Sequence, residues 1–300
     1  MDLAEVSNQQ DPLDRVKQRI ENVFGSWTRD TTLQEMRDEF DAMLASDINP
    51  DVEHFKIGDI ETEMVQWGKF EPDKIVLYFH GGGYQMGSTR SHRELMARLS
   101  AAGHRKVLGF NYRLAPESRF PAAVDDALEV YRWLLDTGVN AEKIAFAGDS
   151  AGAGLAIATM LNARENRLPM PGCAVLLSPW LDMEATGETY VSRARLDPMT
   201  QRDKILMMAR AYLGKTGDPR NPLASPIHGD LNGLPPILVH VGDHETVLDD
   251  SRNFIVKAKE AGCDVELVVW DRMIHHFQIF YELPEARKSI EQIGDFLRRH

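Results

Sequence analysis

Six short apolar runs constrain this 300-residue chain more than any other feature: residues 75–79, 107–110, 144–147, 174–177, 237–241 and 265–270. They are too short for buried helices, rich in β-branched residues, and without the in/out alternation of a half-solvated strand. That texture predicts strands buried on both faces. Helical patterns lie between and after them, at about 92–102, 122–136, 151–165, 246–261 and 284–299. Strand, helix, strand, repeated, implies an α/β fold: a mostly parallel central sheet with helices on both faces. The spacing breaks once, between Leu177 and Ile237, where about sixty residues hold an extra helical pattern near 201–213 after a Thr200 cap. Insertions of that length commonly build a lid over a site.

Two amphipathic helices precede the sheet. The first begins near Pro12, with Val16, Ile20 and Val23 or Phe24 on one face. The second begins at Thr32 with Glu35 three residues on, a capping-box pattern, and its stripe is Leu33, Met36, Phe40 and Met43 or Leu44. Strands follow at about 54–57 and 61–67. The expected division is N-terminal cap helices over 1–56 and a catalytic domain over 57–300, with a cap insertion at about 181–214.

Composition narrows the function. Hydrophobic residues at 43% and charged residues at 27% exclude disordered and fibrous classes. A net charge of −12 has the wrong sign for tracking phosphates, so no nucleic-acid partner is expected. Cys173 and Cys263 sit in no motif and read as two buried, reduced thiols. The first residues lack the basic and apolar segments of a signal peptide, and no apolar run approaches the ~18 residues of a membrane span. The expectation is a soluble cytoplasmic protein.

Two glycine motifs carry the chemistry. Gly148-Asp149-Ser150-Ala151-Gly152 follows one apolar run and opens a small-residue helix, which is G-x-S-x-G in its strand–turn–helix context. A serine hydroxyl projecting from a strained turn needs small neighbours, and the helix N-terminus puts a backbone N–H beside an attacked carbonyl. His80-Gly81-Gly82-Gly83 ends another run, and its glycines let backbone N–H groups turn toward a developing oxyanion. A phosphate loop is the rival, but neither G-x-G-x-x-G nor a G-K-[ST] ending is present.

Five motifs in order give the chain, from about residue 70 to its end, a specific resemblance: His80-Gly81-Gly82-Gly83-Tyr84, Tyr112-Arg113-Leu114-Ala115-Pro116-Glu117, Phe120-Pro121-Ala122-Ala123-Val124-Asp125-Asp126, Gly148-Asp149-Ser150-Ala151-Gly152 and Met273-Ile274-His275. The sequence resembles the hormone-sensitive-lipase-like (bacterial family IV) carboxylesterases of the α/β-hydrolase superfamily. The resemblance implies Ser150 as nucleophile and an oxyanion hole from the N–H groups of Gly82, Gly83 and Ala151. It also implies a cap built from the N-terminal helices and the insertion, and a homodimer through the edge strand Val265–Trp270. The segment 112–126 reads as structural, with Pro121 starting a helix whose apolar face includes Val124, Leu128, Tyr131 and Leu135.

In this fold the order is serine, acid, histidine. Of ten histidines, His275 holds the family's position after Met-Ile beyond the last strand, and His276 stands where the family often has a small or apolar residue. Glu245 lies four residues before Asp249 and thirty before His275, the family's spacing for the acid, with Asp243 as second choice. Glutamate can hold an imidazole's tautomer as aspartate does. His240 and His244 raise a zinc alternative, but His240 falls in a strand pattern and no H-E-x-x-H occurs. No metal or cofactor is called for. The expected activity is hydrolysis of small soluble carboxylic esters through an acyl-enzyme. Lactone, amide or carbamate hydrolysis by the same residues is the alternative within enzymes. A non-catalytic small-molecule receptor on this fold is the alternative outside them. Phe24, Trp27, Met207, Met208 and Leu213 are candidate apolar cap residues.

Overall fold

The computed structural model describes residues 11–46 and 48–300. Eight strands form one sheet: β1 (Asp51–Ile57), β2 (Ile60–Gln66), β3 (Ile75–Phe79), β4 (Lys106–Phe110), β5 (Ile144–Asp149), β6 (Cys173–Leu177), β7 (Ile237–Gly242) and β8 (Val265–Trp270). Their order is β1-β2-β4-β3-β5-β6-β7-β8, antiparallel at the β1–β2 and β2–β4 pairings and parallel from β4 to β8. Strand β1 crosses the boundary expected at residue 57 and belongs to the sheet.

The unalternated runs are strands because both faces are covered. In β3, Ile75, Leu77 and Phe79 enter the core on one side, and Val76 and Tyr78 enter the core on the other. The covering helices are α1 (Pro12–Ser26), α2 (Leu33–Leu44), α3 (Thr89–Gly103), α4 (Ala122–Asp136), α5 (Ala151–Glu165), the single turn α6 (Thr189–Ser192), α7 (Arg202–Leu213), α8 (Leu248–Glu260) and α9 (Pro284–Arg299). Helix α5 is buried along almost its whole length, which its Gly and Ala content permits by letting it approach β5 closely. Strand β8 departs from the expectation of burial on both faces. It is paired with β7 alone, and Val269 is exposed.

Local details differ in instructive ways. Helix α1 buries Phe24 and only part-buries Val23; α2 buries Phe40 and Leu44, and its Thr32–Glu35 capping box is complete. On α4 Leu134, not Leu135, is fully buried. The cap position of α7 is Gln201, one residue later than expected, because the Thr200 hydroxyl is taken by Asp197. Cys173 is buried as expected, but Cys263 is partly exposed, with its thiol on the Leu231 carbonyl 2.9 Å away. Among the described residues no helix is long and apolar enough to cross a membrane.

The topology selects where a site can form. From β3 the chain runs to β4 on one side, then returns to β5 on the other, so the strand order reverses between β3 and β5. Ligands of open α/β sheets bind at the C-terminal ends of strands flanking such a reversal.

Candidate active site

Both glycine motifs lie at that reversal: the His80–Gly83 loop leaves β3, and Ser150 leaves the neighbouring β5. Ser150 holds φ +51° and ψ −121°, a strained conformation for a residue with a side chain. Two backbone bonds to the end of β6 help fix it: Ser150 N donates to the Leu177 carbonyl (2.9 Å), and Trp180 N donates to the Ser150 carbonyl (3.1 Å). Gly152 is required because a Cβ there would strike the Phe79 and His80 carbonyls. Gly82 has φ +116°, and a Cβ there would strike the Met86 carbonyl. The N–H groups of Gly82, Gly83 and Ala151 make no hydrogen bond among the described residues.

His275 follows β8, and its Nε2 lies 2.8 Å from Ser150 Oγ. Its Nδ1 lies 3.0 Å from Glu245 Oε2, in the loop after β7. Glu245, not Asp243, meets the imidazole; Asp243 lies beside His244, at 3.9 Å. Glu245 is fully buried, and burial raises its carboxyl above the ordinary range against the hydrogen bonds of His275, Gly242 N and Ser178. Burial works against a charged His275 as well, but the Glu245 carboxylate, together with the charges of Asp197 and Asp149, outweighs it and leaves the imidazole above its ordinary value. With a carboxylate at Nδ1 that nitrogen carries the proton, so a neutral His275 presents a lone pair to the serine hydroxyl. Hydroxyl, imidazole and carboxylate in series can take a proton from Oγ as it attacks a carbonyl.

Sequence reasoning missed two groups around this chain of contacts. Ser178, just after β6, donates from Oγ to Glu245 Oε1 (2.7 Å) and accepts from His276 N (2.9 Å), so it ties the acid to the histidine loop. Its position at a strand's C-terminal end was the available signal. The second group surrounds Asp149. Asp149 Oδ1 accepts from Tyr78 OH (2.6 Å) and from Gly81 N (3.0 Å), coupling the serine turn to the glycine loop. Asp149 Oδ2 faces His92 Nε2 at 3.3 Å, while His92 Nδ1 lies 3.2 Å from the Ser88 carbonyl. His92 Nδ1 also lies 3.0 Å from Ser91 Oγ, a hydroxyl that can donate or accept, so the contacts suit both the neutral and the charged ring. Burial opposes that charge, and Asp149 overrides it, raising the His92 pKa. Burial likewise opposes the Asp149 charge, but His92 and His276 hold that carboxyl well below the ordinary range.

His276 completes this cluster and also lines the cleft. Its Nδ1 lies 3.2 Å from Asp149 Oδ2 without hydrogen-bond geometry, and its Nε2 lies 3.0 Å from Met199 Sδ. Ligand atoms of His92, Asp149 and His276 all lie within 4.8 Å of one another, close enough to share a metal ion. Neither such group among the described residues contains His240 or His244. His240 is buried against Ser289 Oγ (2.8 Å), and burial lowers its pKa to about 3.

The cleft over Ser150 is lined both by residues at the strand ends and by residues of the outer helices, among them Phe24 of α1, Phe40 of α2 and Met208 of α7. Met207 instead points away, 63% exposed, and Trp27 and Leu213 pack partly buried outside the lining. The 112–126 segment braces the glycine loop. Tyr112 OH donates to the His80 carbonyl (2.8 Å), and Arg113 clasps Asp126 (2.6 Å).

Comparison with known proteins agrees with this architecture. The alpha/beta hydrolase fold family matches residues 76–279, and the chain belongs to that family. An acetyl-hydrolase of Streptomyces hygroscopicus is 42% identical over 243 residues, covering 81% of each chain. An esterase of Acinetobacter venetianus is 35% identical over 224 residues, covering 74% of each. The solved structure of an esterase from the bacterial hormone-sensitive lipase family superposes with a TM-score of 0.93 at 42% identity, covering 97% of this chain and 98% of that one.

Proposed function

We propose that this protein is a serine carboxylesterase that hydrolyses small carboxylic esters through an acyl-enzyme. The observation that carries the reading is the Glu245–His275–Ser150 series, at 3.0 and 2.8 Å, facing the N–H groups of Gly82, Gly83 and Ala151. The relatives' names, esterase and acetyl-hydrolase, support ester hydrolysis and a small acyl group. In the first half-reaction His275 Nε2 takes the Ser150 proton as Oγ bonds to the ester carbonyl carbon. The carbonyl oxygen becomes an oxyanion held by the three N–H groups, each such donor typically worth about 2.7–4 kcal/mol in the barrier. The carbon–oxygen bond to the alcohol breaks as His275 returns the proton to the leaving oxygen. A water then gives its proton to His275 and adds to the acyl carbon, and Ser150 Oγ leaves with that proton as the carboxylic acid is released.

Helices α1 and α2 and the insertion over about 181–214 serve as the cap. The exposed β8 edge supports a homodimer, and the two unpaired cysteines support a cytoplasmic location. The test is p-nitrophenyl acetate under rapid mixing. The expected result is a burst of nitrophenol stoichiometric with enzyme, or steady turnover that also extends to alkyl acetates; the absence of both would overturn the proposal.

A further inference from the structure

Lys204 is the one lysine, arginine or carboxylate among the residues lining the cleft. Lys204 forms no salt bridge among the described residues, so its charge is not neutralised by a carboxylate of the chain. Its ammonium instead lies 5.6 Å from the centre of the Phe24 ring, another lining residue, where the ring face is a weak, replaceable partner. The neighbouring polar side chains are committed elsewhere. Thr200 Oγ1 is engaged by Asp197 and Thr246, and Gln201 Nε2 donates to the Ala194 and Asp197 carbonyls at 2.9 and 2.7 Å. Lys204 is therefore a part-buried cation in an otherwise uncharged stretch of wall, still able to accept an anion.

Its place in the helix fixes the scale. Met208 is four residues on and shares the same face of α7. The Met208 sulfur packs over Gly83, so closely that a Cβ on Gly83 would collide with it. Four helical residues rise about 6 Å. An anion on Lys204 is thus about one helical turn from the glycine loop that would hold the ester's oxyanion, a span of roughly three to six bonds.

Building on the carboxylesterase reading, we propose that Lys204 is a specificity-determining residue for esters that carry a carboxylate roughly three to six bonds from the reacting carbonyl, such as half-esters of dicarboxylic acids. The experiment compares kcat/KM for monoethyl glutarate and for ethyl valerate, in which a methyl group replaces the carboxylate. The readout is the ratio of the two in wild type, Lys204→Met and Lys204→Arg. The ratio should fall about tenfold in Lys204→Met, the scale of one charged hydrogen bond, and be retained in Lys204→Arg. An unchanged ratio in Lys204→Met would overturn the assignment while leaving the esterase reading intact. Failure of the wild type to hydrolyse either ester or p-nitrophenyl acetate would overturn both.

Discussion

The floor of the cleft and its cap are built on different physics. On the floor, Ser150, Asp149, Ser178, Glu245 and His275 are all 8% exposed or less, and each is tied by hydrogen bonds to a strand end or to another member. Polar groups buried this deeply must be partnered, so their positions are over-determined. The cap is looser. Helix α2 buries only Phe40 and Leu44 and is pinned mainly by Arg37, which reaches the Gln85 and Ala115 carbonyls (2.7 and 3.1 Å) and Glu117 (2.8 Å). On α7 Met207 is mostly exposed while Met208, its neighbour, closes over the glycine loop. On the proposed mechanism, bond-making falls to the tightly partnered part of the molecule and substrate choice to the looser one.

That contrast can be broken in four ways, in decreasing order of effect. Replacing the acid should cost most: Glu245→Gln should lower kcat by about 10³–10⁴-fold, because the amide no longer fixes the His275 tautomer. Asp243→Asn should stay within about twofold, since Asp243 does not reach the imidazole. Equal losses in the two would reverse the choice of acid. Next, Asp149→Ala should destabilise the fold by about 3–5 kcal/mol in urea denaturation if His92 is charged, because a buried cation would lose its partner. A loss below about 1 kcal/mol, the worth of an exposed pair, would mean the cluster carries no buried charge.

The pH profile gives a third test. The base must be neutral, and the Glu245 carboxylate raises the His275 pKa against burial, so kcat/KM should fall about tenfold per pH unit below a midpoint above the ordinary ~6.5. A midpoint well below that value would contradict the raised pKa. The smallest effect belongs to the cap. Met208→Ala should shift preference toward longer esters by about three- to tenfold in relative kcat/KM while the pH midpoint stays fixed. A moved midpoint would mean that cap and floor are not separable.

Much of the floor was legible in the sequence because its residues obey local rules. Strand termini, glycine turns and helix starts are set by a few neighbours, so Ser150 and the Gly82–Gly83 turn could be placed from short patterns. The choice of Glu245 came from the family's spacing, and the structure brings that carboxylate to the His275 ring. Ser178, His92 and the Asp149 contacts were not legible. Their partners lie 57 to 127 residues away in the chain, and the position of Ser178 at a strand's C-terminal end does not by itself name the partner it meets. Strand β8 shows the limit of the run by itself: the resemblance marked it as an edge strand, as the pairing order has it, but an apolar run reads alike in the middle of a sheet and at its edge, so burial on both faces was expected as well.

The most direct measurement is peptide mass mapping after treatment with diethyl p-nitrophenyl phosphate, which traps an activated serine as a stable phosphoryl ester. One diethylphosphoryl group should appear, on Ser150, in step with loss of esterase activity, and Ser150→Ala should remain folded, unlabelled and inactive. Esterase activity that persists with Ser150 unmodified, or a label on another residue that tracks the inactivation, would contradict the account.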